Sequence, residues 1–393
     1  MQCSAGVYFS HYECQGHQAR VAGVARLIRK RFPQGNLFFI QAGRPYGVDG
    51  LKARGKVYDL PLSFTGRACF RQEAIPPGPL QAARRAAAIL RIISREQSGL
   101  FITETFPFGR RECAPELGPV LKALQKKDVP LAAVAGYPLL TGAPAGWRDP
   151  LMAFYDRAFI FSPPAERDYL AAFYPAGAAR RAYVNFFKEQ AHRISFAGYL
   201  DPRDTAVAEI PRTDGKVRVA VVRGGGAYYL SLIVEALKAG DLLGDAFALT
   251  VLAGPSTTDK EWALFNTILK RKKVPNTVLV RSLEDYEGLI ARSDVCVSPA
   301  PYHTSLALLK HRKRAVLVPF EGYGNGQRFV EQPARAMLLQ DHIRSQVVPY
   351  TNMSAATLSA AVRRALKTDM KGIRVPSSWF AGADMFSAWL SRM

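Results

Sequence analysis

Apolar runs and helix-period stretches alternate along most of the chain. The first run, Ala5-Gly6-Val7-Tyr8-Phe9, is continuous rather than alternating, as a strand covered on both faces requires. A loop over 10–16 follows, and then Val21, Val24, Ala25 and Ile28 recur at helical spacing. Residues 37–40 read as the next strand, 80–95 as a long Ala- and Arg-rich helix, and 100–103 as a further strand. A helix at 119–126 and strands at 131–134 and 159–161 continue the series. Such alternation predicts a parallel sheet covered by helices.

Residues 196–216 carry several Pro, Gly and Asp and no sustained apolar period, which predicts a linker. The pattern then restarts, with strands at 217–222, 247–252, 277–280, 295–298 and 315–319, a loop at 223–226 and a helix at 228–239. The expectation is α/β architecture with two Rossmann-like domains, 1–195 and 217–375. In the last segment, 376–393, Trp379, Phe380, Met385, Phe386, Trp389 and Leu390 can share one helical face. That face suits either a helix crossing back to the first domain or burial in the second.

Length and charge narrow the picture. At about 150 residues per domain, 393 residues fill two or three, which excludes a peptide hormone or a stapled miniature scaffold. The net charge is +21, with 29 basic and 18 acidic side chains in 1–215 and 24 and 14 in the remainder, so no basic tail stands out. The clusters Lys270-Arg271-Lys272-Lys273 and Lys310-His311-Arg312-Lys313-Arg314 read as solvated helix ends. Without aromatic-interleaved binding motifs the excess does not point to nucleic acid; it suits a phosphate-bearing ligand or peripheral contact with an anionic membrane. Five scattered cysteines without metal-type pairing predict reduced thiols in a cytoplasmic protein and no structural zinc. No stretch of about 18 apolar residues predicts a membrane span.

Four strand-loop-helix segments carry candidate chemistry. In His11-Tyr12-Glu13-Cys14-Gln15-Gly16-His17, Gly16 lets a ligand approach the backbone and His17 can act as a general base; a capping or solvated histidine is the plainer reading. Arg223-Gly224-Gly225-Gly226 can offer successive N–H groups and a guanidinium to a diphosphate, or merely close a tight turn. Tyr302-His303-Thr304-Ser305 opens another helix suited to phosphate, and Glu331-Gln332 can bond sugar hydroxyls or simply begin a helix. Glu104, in Thr103-Glu104-Thr105-Phe106-Pro107-Phe108-Gly109-Arg110-Arg111, sits at a strand's carboxyl end; it faces a cleft or pairs with Arg110 or Arg111.

These pieces in this order resemble a bacterial family of glycosyltransferases related to the N-acetylglucosaminyltransferase of peptidoglycan synthesis, which has the GT-B fold. The segment 103–111 carries most of the resemblance, with Phe196-Ala197-Gly198-Tyr199, Gly224-Gly225-Gly226-Ala227, Tyr302-His303-Thr304, and Glu331-Gln332 with Arg335-Ala336. His11, Gly16, His17 and Arg20 match the family's opening loop. The resemblance implies two domains facing across a cleft and no metal or other cofactor. The second domain would hold a nucleotide-sugar donor through Arg223, Gly224, Gly225, Gly226, His303, Thr304, Glu331 and Gln332. The first would hold the acceptor beside His11, Gly16 and Arg110, with His17 as the base; Glu104 is a second catalytic candidate. The chain departs from the family at Cys14, at Pro301 and His303, and at Ala307, where relatives carry a ribose-gripping Glu.

The activity so implied is inverting sugar transfer from a nucleotide donor, UDP-linked, to a glycan, lipid-linked or small-molecule acceptor. Ala307 keeps open a silent, binding-only relative. An epimerase on the same fold is the remaining alternative, and it would call for a pair of cleft carboxylates.

Overall fold

The computed structural model describes residues 3–11, 15–43, 49–60, 78–138, 149–201, 215–225, 229–272, 276–321, 323–324, 327–328 and 330–393. The chain divides into two compact units, Met1–Arg203 with Tyr323–Arg328 and Ser377–Met393, and Asp204–Gly322 with Phe329–Pro376.

The first unit runs β1 (Ala5–His11), α1 (Gln15–Arg31), β2 (Leu37–Gly43), α2 (Asp49–Lys52), β3 (Lys56–Leu60), α3 (Pro79–Arg95) and β4 (Leu100–Glu104). It continues with α4 (Ala114–Gln125), β5 (Leu131–Ala135), α5 (Asp149–Met152), β6 (Arg157–Ile160), α6 (Pro164–Ala171), α7 (Ala178–Glu189) and β7 (Ile194–Phe196). Among the described residues these strands form one parallel sheet in the order β3-β2-β1-β4-β5-β6-β7. β4 and β5 are buried along their whole length, which explains their unbroken apolar sequence. The apolar stripe of α3, Ala82, Ala86, Ile89 and Ile93, also contains Arg85. This buried guanidinium is neutralised by Glu116 of α4, which also accepts from the Tyr8 hydroxyl of β1.

The second unit runs β8 (Val217–Val222), α8 (Leu230–Leu243), β9 (Phe247–Leu252), α9 (Asp259–Lys272), β10 (Thr277–Val280), α10 (Tyr286–Arg292), β11 (Val295–Ser298), α11 (Tyr302–Lys310) and β12 (Arg314–Leu317). A short antiparallel pair, β13 (Tyr323–Gly324) and β14 (Gln327–Arg328), groups with the first unit. α12 (Glu331–Ile343), β15 (Gln346–Val347) and α13 (Ala355–Lys367) complete the second unit, whose sheet order is β10-β9-β8-β11-β12-β15. Its core gathers around Val219, Val221, Leu237, Leu249, Val251 and Val297.

Phe196 closes β7, and Ala197, Tyr199 and Leu200 are buried, so 196–200, read from the sequence as the start of the linker, pack into the first unit. Most of the remaining linker reading, 202–214, lies outside the described residues. The C-terminal segment also joins the first unit, through α14 (Gly382–Leu390). Phe386 lies 5.1 Å from Phe159 and 6.0 Å from Phe161, centroid to centroid. Glycine is required where this segment meets 198–199. A Cβ on Gly198 (φ +78°) would lie 2.5 Å from the Ser378 carbonyl oxygen, and one on Gly382 would lie 2.7 Å from those of Gly198 and Tyr199. The single apolar face expected over 379–390 is narrower than the sequence suggests: Trp379, Phe386 and Leu390 are buried, but Met385 is 40% exposed. Helical spacing places residues on a face without fixing how wide the covering surface is.

Candidate functional site

Strand order reverses between β1 and β4 in one sheet and between β8 and β11 in the other, and in open parallel sheets such switch points mark crevices at the strands' carboxyl ends. The candidate residues collect there. In the first unit, His17 sits in the first turn of α1 and Glu104 ends β4. His17 Nδ1 lies 3.0 and 2.9 Å from the two Glu104 oxygens. A carboxylate only accepts, so Nδ1 carries the proton and Nε2 the lone pair. Arg110 Nη2 donates toward that lone pair at 3.4 Å and its Nη1 lies 3.7 Å from Glu112. Glu104 also accepts from Arg20 Nη1 at 2.6 Å and from the Thr105 hydroxyl at 2.7 Å.

Burial lowers the pKa of His17, the Arg110 and Arg20 charges act in the same direction, and Glu104 opposes them; the ring is neutral at neutral pH. For Glu104, burial pushes upward, but the neighbouring His17 and Arg20 and the hydrogen bonds from His17 and Thr105 hold it at about 2. Since His17 is neutral, Arg20 is the cation that keeps the carboxylate ionised. Two backbone details make this possible. Gly136 admits the Arg20 guanidinium, whose Nη2 would lie 2.3 Å from a Cβ there. Thr105 and Arg110 adopt left-handed backbone (φ +66° and +56°), which turns the loop after β4 back over α1. The result is a neutral imidazole whose Nε2 can take a proton while a buried carboxylate stabilises the imidazolium formed.

In the second unit Arg223, 2% exposed, follows β8. Its guanidinium reaches the Ala253 carbonyl, Thr257 Oγ1 and Glu261 Oε1 at 3.3–3.4 Å, and burial lowers its pKa. Gly224 (φ +87°) lies under Gly254 (φ +94°), where a Cβ would come 2.6 Å from the Gly224 carbonyl oxygen. Ser256 donates to the Gly225 carbonyl at 3.1 Å, tying the two loops together. Tyr302, His303 and Thr304 form the first turn of α11, which has no side-chain cap; Thr304 is buried and His303 packs edge-on to Tyr302. Arg335, 1% exposed, crosses from α12 to the Ala300 carbonyl at 3.0 Å. Glu331 and Gln332 begin α12, and Gln332 Oε1 accepts from the Tyr229 hydroxyl and, at 3.2 Å, from the Phe320 N–H.

Thus His17, Glu104 and Arg110 meet in one cluster, and Arg223, Gly224 and Gly225 share one loop. The space over Gly16 is open among the described residues, so the chain itself does not demand glycine there. The side chain of His11, and Gly226 and Cys14 entirely, lie outside the described residues. The cation beside Glu104 is Arg20, while Arg110 turns to His17 and Glu112; the side chain of Arg111 lies outside the described residues. Gly136 and Tyr229 are the members the sequence reading missed, together with the roles of Arg20 and Thr105; a polar pair three residues apart on an otherwise apolar helix face, His17 and Arg20, was the available signal. Among the described residues no three His, Cys, Asp or Glu side chains gather to hold a metal ion. No helix among them is long and apolar enough to cross a membrane.

No protein-family model and no curated protein matches the chain. Solved structures do. MurG of Acinetobacter baumannii is 13% identical, with a TM-score of 0.58 over 99% of this chain and 100% of its own. CalG4, the calicheamicin glycosyltransferase, is 15% identical with a TM-score of 0.66 over all of both chains. UDP-GlcNAc 2-epimerase of Neisseria meningitidis, solved with UDP-GlcNAc, is 9% identical with a TM-score of 0.57 over 99% of this chain and 100% of its own. The likeness establishes the fold, two parallel-sheet α/β domains of the GT-B type.

Proposed function

We propose that the chain is an inverting glycosyltransferase that moves a sugar from a nucleotide donor, UDP-linked, to a hydroxyl acceptor. One observation carries this reading: a neutral histidine backed by a buried, ionised carboxylate sits at the switch point of a GT-B fold. In this mechanism His17 Nε2 takes the proton of the acceptor hydroxyl, whose oxygen forms the new bond to the anomeric carbon. The bond from that carbon to the diphosphate breaks, and the nucleoside diphosphate leaves. The second unit would hold the donor: Gly224, Gly225 and Gly226 with the start of α11 at the diphosphate, Arg223 behind them, and Gln332 at the sugar. Arg110 lowers the basicity of His17 and yields Nε2 to the incoming hydroxyl. No step uses a metal or another cofactor. We place the protein in the cytoplasm, where its basic charge suits both a diphosphate donor and peripheral contact with a membrane carrying a lipid-linked acceptor.

The epimerase alternative needs a carboxylic acid that exchanges protons near neutrality. Glu104, held at about 2 against Arg20, is unsuited to that task. The binding-only alternative draws on Ala307, which is 1% exposed in α11 and supplies no carboxylate to a ribose. Release of UDP from UDP-GlcNAc or UDP-glucose, measured with and without added glycan acceptors, separates these readings. Wild-type protein should turn over. The His17→Gln variant should lose about 10²- to 10⁴-fold in rate while still binding UDP. Undiminished turnover in that variant would remove His17 from the mechanism, and UDP binding without any turnover would favour the binding-only protein.

A further inference from the structure

Ala300, between β11 and α11, is fully buried and adopts left-handed backbone (φ +63°) although it is not glycine. That region is unfavourable for any residue with a Cβ, so an interaction from outside the loop must hold it there. Arg335 supplies one. Its Nη1 donates to the Ala300 carbonyl at 3.0 Å, and its guanidinium carbon lies 5.9 Å from the centroid of the Tyr302 ring. Arg335 is buried in α12, so a single guanidinium grips the residue before Pro301 and the residue after it.

Pro301 is where this grip meets the glycine loop. A Cβ on Gly224 would come 3.1 Å from Pro301 Cγ and 3.6 Å from its Cβ. On its other side Gly224 carries Gly254, where a Cβ would meet the Gly224 carbonyl oxygen at 2.6 Å. The loops leaving β9, β8 and β11 are therefore stacked in that order, and the spacing at one end of the stack depends on where Pro301 sits. Pro301 is also the N-cap of α11: its carbonyl accepts from the Ser305 N–H at 2.9 Å, and its side chain caps none of the free N–H groups of the first turn. Displacing Ala300 moves that turn away from the glycine loop.

We infer that Arg335 is a positioning residue for the diphosphate of the donor: by holding Ala300 in left-handed backbone it fixes the start of α11 against the glycine loop, so that both offer N–H groups to the same diphosphate. The inference rests on the donor-site reading of the second unit, and it adds the residue that keeps the two halves of that site in register. Arg335 itself touches no ligand and acts through Ala300 and Pro301. Glycine enters left-handed backbone freely, so Ala300→Gly makes Arg335 largely dispensable for binding, a relation that a general stabilising role does not share.

The test is calorimetric titration of the full chain with UDP and with UMP, in Arg335→Met and Arg335→Lys, each with and without Ala300→Gly. Wild-type protein should bind UDP more tightly than UMP. Arg335→Met removes the bond to the Ala300 carbonyl and should weaken UDP about tenfold but UMP, which lacks the second phosphate, only about twofold. Adding Ala300→Gly should recover about fivefold of the UDP loss, and Ala300→Gly alone should leave UDP within about twofold of wild type. Arg335→Lys keeps the charge and a donor without the planar fork; should the Met variant fail to fold, it shows the same pattern with a UDP loss of about threefold. Equal losses for UDP and UMP would make Arg335 a structural residue and overturn the inference. So would a UDP loss that Ala300→Gly leaves unrecovered, undiminished UDP affinity in Arg335→Met (or in Arg335→Lys if only that variant folds), or a wild-type protein that binds UDP no better than UMP. Failure of wild-type protein to bind UDP at all would instead remove the donor-site reading, and the inference with it.

Discussion

Replacing Glu104 by glutamine isolates the ionised carboxylate at nearly constant shape. The amide oxygen can still accept from Arg20, now 2.6 Å from Oε1, but it carries no charge, and the amide N–H group confronts the proton on His17 Nδ1. The size of the loss follows from the carboxylate's fall from 4.5 to about 2. At about 1.4 kcal/mol per unit the whole shift amounts to roughly 3 kcal/mol, an upper bound near neutrality, where His17 is uncharged and Arg20 and the hydrogen bonds hold the carboxylate alone. A folded pKa below the unfolded one contributes fully above pH 4.5 and is lost as pH falls toward 2. Glu104→Gln should therefore destabilise the first unit by at most roughly 3 kcal/mol at pH 7, and its deficit against wild type should shrink as pH falls below 4.5, by about 1.4 kcal/mol per unit at most. Hydrogen exchange of β4 amides in the full chain, read at pH 7 and again below pH 4.5, follows this unit separately from the other. A deficit independent of pH, or none at pH 7, would refute the assignment of Arg20 and Glu104 as a working ion pair.

Other perturbations address neighbouring parts of the structure. Gly136→Ala should push the Arg20 guanidinium out of place and cost about 1–3 kcal/mol in urea unfolding, because the new Cβ would meet Nη2 at 2.3 Å. Arg110→Ala removes a charge that lowers the pKa of His17, so the ring's NMR titration midpoint should move up; a downward shift would contradict the contact. Arg85→Met should cost about 3–5 kcal/mol by leaving Glu116 buried and unpaired, whereas Arg85→Met with Glu116→Leu should recover much of that loss in the same assay. Gly254→Ala should weaken UDP binding by calorimetry, since its left-handed backbone and its approach to Gly224 both exclude a side chain.

The fold was largely legible because fully covered parallel strands announce themselves as continuous apolar runs. Segments 100–103, 131–134, 217–222 and 295–298 all fall in strands of the sheets. β3 was not, since Lys56–Leu60 is short, half polar and at a sheet edge, and neither was β7, whose Ile194–Phe196 adjoins a polar stretch. Of the first-unit cluster, His17, Glu104 and Arg110 were readable from loop positions, because crevices form at strand carboxyl ends. The role of Arg20 was hidden. Its partner is 84 residues away, and only the fold brings α1 beside β4. The same holds for Tyr229 and Gln332, separated by 103 residues. Sequence spacing reports neighbours within an element, whereas a second hydrogen-bonding layer is set by packing between elements.

Calorimetric titration of the full chain with UDP, dTDP, GDP, ADP and CMP tests the nucleotide-sugar reading most directly, because such an enzyme must recognise its leaving group. One nucleoside diphosphate, UDP, should bind with one-to-one stoichiometry, and Gly254→Ala should weaken it. Absence of binding by every nucleotide at millimolar concentration would contradict a donor site at the glycine loop after β8.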